Sequence, residues 1–167
     1  MVLKGKSHKF GDNINTDYII SGKYKFKTLD MEELARHLME DIYPNFYKKI
    51  NKGDFIIAGR NFGCGSSREQ APLVIKYAGI SAVIAKSFAR IFYRNGINNG
   101  LILIEADTDN IEDGDEIEIS LERGMVKNIT KNIEIYGTKI PDFLIDIIKE
   151  GGVINYLKKY GTFKIGE

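Results

Sequence analysis

Two hydroxyls, two glycines and an arginine crowd together in the run Asn61-Phe62-Gly63-Cys64-Gly65-Ser66-Ser67-Arg68-Glu69-Gln70, a combination suited to holding a carboxylate. The guanidinium of Arg68 is a planar fork whose paired N–H donors match a carboxylate. Gly63 and Gly65 let the backbone approach a ligand closely or adopt positive φ. A plainer role stands beside this one. Ser66 with Glu69, and Ser67 with Gln70, have the spacing of a helix capping box. One serine can cap while the other faces a ligand, so both readings stay open.

The neighbouring elements put this run where ligands bind. Phe55-Ile56-Ile57-Ala58 is a short apolar stretch expected to be a buried strand, and a helix is expected over 67–77, ending at Gly79. Ala82-Val83-Ile84-Ala85 is a second strand, 88–94 a short helix and 101–104 a third strand. That β-α-β-α-β order predicts parallel strands joined by right-handed crossovers. The run therefore leaves the C-terminal end of a parallel strand, and the helix it enters offers unpaired N–H groups to an anion.

Upstream, a strand of mixed pattern over 2–10 leads into the polar loop 11–17, and 21–29 is a loop rich in lysine and aromatics. Asp30 is the expected N-cap of a helix, with Glu33 as its capping partner. Met31, Leu34, Ala35, Leu38 and Met39 form one apolar face of that helix. His37 lies off the stripe, at the surface or boundary, and His8 is read as structural. Downstream, 116–121 and 125–129 alternate about the turn Glu122-Arg123-Gly124, an antiparallel hairpin with one wet face. Pro141 opens a C-terminal helix closed by Gly151-Gly152, and a shorter helix follows near 154–159. Residues 1–167 read as one three-layer α/β domain with a mixed sheet, an antiparallel hairpin and flanking helices.

Composition excludes several classes of function. A net charge of +1 gives no electrostatic reason to bind nucleic acid or an anionic membrane. No stretch approaches the ~20 apolar residues of a membrane helix, and the first residues lack a signal-peptide core. With Cys64 as the sole cysteine, no internal disulfide forms and the expected compartment is the cytoplasm. Cys64, His8 and His37 show no zinc-ligand spacing, and one cysteine cannot hold an iron–sulfur cluster alone, so no metal site is expected. A dinucleotide fingerprint fails because Arg68 stands where its third glycine belongs, and no phosphate loop occurs. A nucleophilic pair of Cys64 with either histidine rests on composition alone.

Three segments nevertheless resemble one family. Lys9-Phe10-Gly11-Asp12-Asn13-Ile14-Asn15-Thr16-Asp17, the run from Asn61 to Glu69, and Ala85-Lys86-Ser87-Phe88-Ala89-Arg90-Ile91-Phe92-Tyr93-Arg94-Asn95 are similar, in order and spacing, to the small subunits of the 3-isopropylmalate dehydratase family. That family belongs to the aconitase superfamily, and the match spans nearly the whole chain. The resemblance implies the swivelling β/β/α domain. It also implies a [4Fe–4S] cluster carried by a separate large subunit, in a heterodimer or heterotetramer acting on a hydroxy diacid. Ser66 matches the family's catalytic serine, whose alkoxide removes a proton from carbon. Arg68 matches the carboxylate-binding arginine, Ser67 an adjacent hydroxyl donor, and Thr16 and Asp17 a Thr-Asp pair at the same site. Aconitases carry a serine three residues after that aspartate, where Ile20 stands here, so that contact is missing. Ser87, Arg90 and Arg94 are read as structural, Ser87 as a helix cap and the two arginines on one face.

Energetics make a partner necessary. Bringing a serine hydroxyl, about as weakly acidic as bulk water, down to a pKa of about 7 requires roughly 11 to 12 kcal/mol at ~1.36 kcal/mol per unit. A helix terminus supplies ~0.3–2 kcal/mol and a charge-assisted hydrogen bond ~1.5–3 kcal/mol. This domain alone falls short.

In the same family a loop after the Thr-Asp pair helps to choose the substrate. Here Gly22-Lys23-Tyr24-Lys25-Phe26-Lys27-Thr28 occupies that place, with Tyr24 and Phe26 suited to an isopropyl group and Lys25 and Lys27 to an extra carboxylate. A solvated loop with snorkelling lysines is the bland alternative. Isopropylmalate is the favoured substrate, in leucine biosynthesis, with homoaconitate or another alkylmalate behind it, and Lys27 is expected to set tolerance for a third carboxylate. A non-catalytic anion-binding module is the competing reading from a different class.

Overall fold

The computed structural model describes residues 1–25, 27, 28 and 30–164. Its strands are β1 (Val2–Lys9), β2 (Phe55–Ala58), β3 (Ala82–Ala85), β4 (Ile102–Glu105), β5 (Glu116–Ser120), β6 (Met125–Asn128) and β7 (Ile133–Tyr136). They form one sheet in the order β4-β3-β2-β1-β5-β6-β7. β1 to β4 run parallel to their neighbours and β5 to β7 antiparallel, with β1 as the seam. After β7 the chain returns to the opposite edge, where Thr138 N donates to the Glu105 carbonyl at 2.8 Å, so the sheet curls toward closure.

Every side chain of β2 and β3 is buried, as expected of parallel strands covered on both faces. Between β1 and β2 lie the short helices α1 (Thr16–Ile19), α2 (Gly22–Lys25), α3 (Met31–Ala35) and α4 (Phe46–Lys49). The later crossovers are α5 (Gln70–Tyr77) between β2 and β3, and α6 (Arg90–Asn98) between β3 and β4. Pro141 sits at the N-cap of α7 (Asp142–Lys149), and Gly151 and Gly152, both at positive φ, separate it from α8 (Val153–Tyr160). Among the described residues, no helix is long and apolar enough to cross a membrane.

Four local expectations need correction. The hairpin is a three-stranded meander, because Ile133-Glu134-Ile135-Tyr136 adds β7 to the edge. The amphipathic helix after Asp30 is shorter than its stripe. α3 (Met31–Ala35) gives way to i→i+3 turns, yet Leu34, Ala35, Leu38 and Met39 are all buried. Apolar spacing fixed which side chains enter the core, while Met39 at φ 56° ends the helical path. Asp30 does cap α3, accepting from Glu32 N at 3.0 Å, but its own N–H donates to Thr28 Oγ1 rather than to Glu33. Finally, α5 starts three residues later than expected, and its N-cap Glu69 makes no side-chain cap bond. His8 is structural as read, its Nε2 2.8 Å from the buried Asp54 carboxylate.

Candidate active site

The three resembling segments lie far apart in sequence and come together at the C-terminal ends of β1, β2 and β3. The loop after β1 runs alongside the loop after β2. Gly59 N donates to Gly11 O, Asn13 N to Arg60 O, Gly63 N to Ile14 O and Thr16 N to Cys64 O, at 2.8 to 3.1 Å. The loop after β3 closes on the other side, with Phe62 N donating to Ser87 O and Ala89 N to Phe62 O. Ser87 caps no helix: its hydroxyl accepts from Asn61 N at 2.8 Å and so braces the Ser66 loop, while Ala89 takes the N-cap of α6.

Two glycines make this packing possible. Gly63, at φ +83°, has its missing Cβ position 2.2 Å from the ring of Phe92, and Gly65, at φ +89°, has its own 2.6 Å from the amide of Asn15. No L side chain fits either place. Asn15 in turn caps α1 (Thr16–Ile19), its side chain accepting from Asp17 N at 2.8 Å. Gly65 thus abuts the residue that orients Asp17.

Thr16 is buried and its hydroxyl donates to the Ser66 carbonyl at 2.6 Å. That bond ties the start of α1 to the loop, and Thr16 also borders the cleft formed with Ser67 and Arg68. Ser66 and Ser67 are solvent-exposed, and among the described residues neither hydroxyl is engaged as a helix cap. The capping reading fails because the two positive-φ glycines and the Thr16 bond keep the chain in a loop until Gln70. Arg68 is largely buried and ion-paired with Asp17, an exposed carboxylate. Its Nε is fully buried and finds no partner among the described residues. That is an N–H donor left over beside a bound carboxylate.

A cleft of about 320 Å³ opens here, lined by Gly63, Ser67 and Arg68 on one side and by Arg90, Ile91 and Asn95 of α6 on the other. Arg90 therefore borders the cleft as well as sharing α6 with Arg94. It is exposed, and α6 has no acidic residue in its first turn, so two arginines border the cleft. Charge type alone did not single out Arg90, because its place on the cleft follows from the packing of Phe92 under Gly63. Arg94 is exposed and does not line the cleft. A larger hollow of about 550 Å³ lies between Arg60, Lys86, Glu105 and Tyr136, where Lys86 is already paired with Asp109. It shares no residue with the Ser-Ser-Arg cleft.

The segment that begins at Gly22 meets this site at one end. The missing Cβ of Gly22, the first residue of α2 (Gly22–Lys25), would lie 3.5 Å from both terminal nitrogens of Arg68. Gly22 was not singled out from sequence, although a glycine opening a loop is a signal for close approach. Tyr24 is half-buried and Lys27 exposed; Lys25 ends α2, and Phe26 lies outside the described residues.

Thr16 yields a direct test. Thr16→Val keeps the shape and removes the bond to Ser66 O, a loss of about 0.5–1.5 kcal/mol. We expect a fall in Tm of about 1–6 °C and a clear drop in turnover of the assembled enzyme, with Thr16→Ser restoring both. Unchanged rates for Thr16→Val would show that the bond does not position the loop.

An exposed Ser-Ser-Arg loop carried on the parallel half of a curled mixed sheet defines a swivel-type α/β domain. Comparison with known proteins gives the family. The chain belongs to the aconitase C-terminal domain family, whose model matches residues 6–109. It is 56% identical over 165 residues to a 3-isopropylmalate dehydratase small subunit of Archaeoglobus fulgidus, covering 99% of this chain and 100% of that one. It is 55% identical to the methanogen homoaconitase small subunit of Methanocaldococcus jannaschii, covering 95% of this chain and 93% of that one. A crystal structure titled 3-isopropylmalate dehydratase from Methanocaldococcus jannaschii superposes with a TM-score of 0.92 at 55% identity, covering 96% of each chain.

The donor set does not fit an iron–sulfur cluster. Cys64 is the sole cysteine and its backbone is bridged to Asn15. Among the described residues no group of three His, Cys, Asp or Glu could hold a metal ion.

Proposed function

We propose that this chain is the cytoplasmic small subunit of a heteromeric hydro-lyase that interconverts 2- and 3-isopropylmalate through dehydration and rehydration, in leucine biosynthesis. The observation that carries this reading is an exposed Ser66 whose backbone is locked by Thr16, one residue from Ser67 and two from the Arg68–Asp17 pair. In the dehydration, Ser66 Oγ as alkoxide takes the proton from the carbon next to the carbinol carbon. The electron pair of the broken C–H bond forms the double bond, and the hydroxyl leaves as hydroxide, which takes a proton from solvent to become water. Rehydration returns that proton from Ser66 to carbon. Arg68 and the Ser67 hydroxyl hold a substrate carboxylate, with Asp17 orienting the guanidinium.

The [4Fe–4S] cluster belongs, in this reading, to a large partner subunit. The fold strengthens the need for one. Because α5 begins at Gln70, Ser66 lies beyond the first helical turn, where a helix dipole has little effect. Homoaconitate is the second candidate substrate, favoured by the exposed Lys27 and by the 55% identity to a homoaconitase small subunit.

The isolated chain is expected to give no detectable dehydration of either diacid, whereas the complex reconstituted with a cluster-bearing large subunit turns over isopropylmalate. Steady formation of the conjugated alkene product can be followed by ultraviolet absorbance. Turnover by the isolated chain would remove the need for a partner, and an assembled but inert complex would overturn the activity itself.

A further inference from the structure

α2 is a single helical turn opened by a glycine, far below the length at which a helix is stable alone. Its conformation has to come from tertiary contacts, and the strongest of these involves Tyr24. The Tyr24 ring lies flat on His37, centroids 3.8 Å apart and planes 9° from parallel. His37 is fixed from behind. Its Nδ1 is 2.8 Å from Glu40 Oε2, and it sits between Leu34 and Ala35 on one side and Leu38 and Met39 on the other, all buried.

Lys23 and Lys27 gather on the same ring. Lys23 Nζ stands 5.0 Å and Lys27 Nζ 5.7 Å from the Tyr24 centroid, within cation–π range. Hydrogen bonding to Glu40 pushes the Tyr24 phenol above its ordinary pKa. Burial raises Glu40, but its hydrogen bonds from Tyr24 and His37 outweigh this and hold it below the usual carboxylate value. Tyr24 is thus engaged in packing, with one face of its ring covered by His37.

We propose that His37 is a positioning residue for substrate choice: by stacking under Tyr24 it fixes the segment that places Lys27 and sets Gly22 against the Arg68 guanidinium. This rests on the proposed hydro-lyase activity and adds to it a residue outside the loop and outside the cleft. Loss of the platform removes the Gly22 contact but leaves the Thr16–Ser66 bond and the Arg68–Asp17 pair in place. Its consequence falls on the discrimination between diacids rather than on the chemical step.

The test uses the complex reconstituted with its large subunit. For isopropylmalate and homoaconitate, kcat/KM is measured, or an inhibition constant for whichever diacid is not turned over. His37→Ala is expected to change the ratio of the two values by about three- to tenfold. His37→Phe and Tyr24→Phe, which keep two stacked rings, stay within about twofold of the wild type on the same basis. Tyr24→Leu serves in place of His37→Ala if that variant does not fold. In parallel, tryptic cleavage of the free chain between residues 23 and 28 should accelerate in His37→Ala and not in His37→Phe. An unchanged ratio, an equal loss on both diacids, or a His37→Phe variant as disturbed as His37→Ala overturns the proposal. Absence of turnover in the wild-type complex instead overturns the activity, while the cleavage rates still decide whether His37 anchors the loop.

Discussion

Ser66→Ala is expected to lower kcat of the reconstituted complex by about 10²–10⁴-fold, the span typical of a lost general base. Assembly and stability should survive. Ser66 is exposed, and the contact that ties it to the fold runs through its carbonyl to Thr16 and not through its hydroxyl. An exposed substitution of this kind changes stability by about 0.5 kcal/mol or less. The pair of measurements is therefore sharp: single-turnover rates on the complex, and thermal unfolding of the free subunit. A complex of Ser66→Ala that retains turnover within a few-fold of the wild type would assign the proton to another group. The result also separates an active subunit from a passive anion-binding module, which would show no turnover in either form.

Arg68→Lys should reduce kcat/KM by about 10–100-fold, most of it through KM, with kcat affected less. The estimate follows from the loss of one charge-assisted hydrogen bond, about 1.5–3 kcal/mol. Lysine keeps the charge, so Asp17 retains a cation, but it has no planar fork and no donor at the place of Nε. That atom matters because it is buried and unpartnered, whereas Asp17 already occupies the far end of the guanidinium. Stability should change little, since Asp17 is about half exposed and an ion pair of that kind is worth ~0–1 kcal/mol. Arg68→Ala would then fall further, with kcat and KM both compromised. Equal kcat/KM for Arg68→Lys and the wild type would mean that a point charge suffices and that the fork makes no carboxylate contact. Arg90, the other arginine on the cleft, would become the next candidate.

Many of the residues around the cleft were legible in the sequence. The Ser-Ser-Arg run and the two glycines stood out by residue type and the Thr-Asp pair by resemblance to the family; Thr16, Gly63, Gly65, Ser67 and Arg68 line the cleft, and Asp17 pairs with Arg68. The parallel strands were legible because continuous apolar runs of four residues between glycine-rich loops have few other uses. Local grammar failed where long-range contacts compete with it. Ser66 and Ser67 have capping-box spacing, but the bond from Thr16 and the clash-limited positions of Gly63 and Gly65 hold them in a loop. Ser87 has the look of a helix cap, yet the adjacent loop takes its hydroxyl. The strand at Ile133 follows a Thr-Lys-Asn turn and shows only half-buried alternation, too weak a signal beside the stronger hairpin before it.

What the amino-acid sequence determined by itself was the inventory of chemistry and the order of elements, because residue type and short-range periodicity are local properties of the chain. Only the tertiary structure decided which groups meet. Thr16 reaches Ser66 across 50 residues, Gly22 lies against Arg68, and Tyr24 rests on His37. Those pairings depend on how adjacent parallel strands deliver their loops to one end of the sheet, and no spacing within a single segment encodes the distance between two loops.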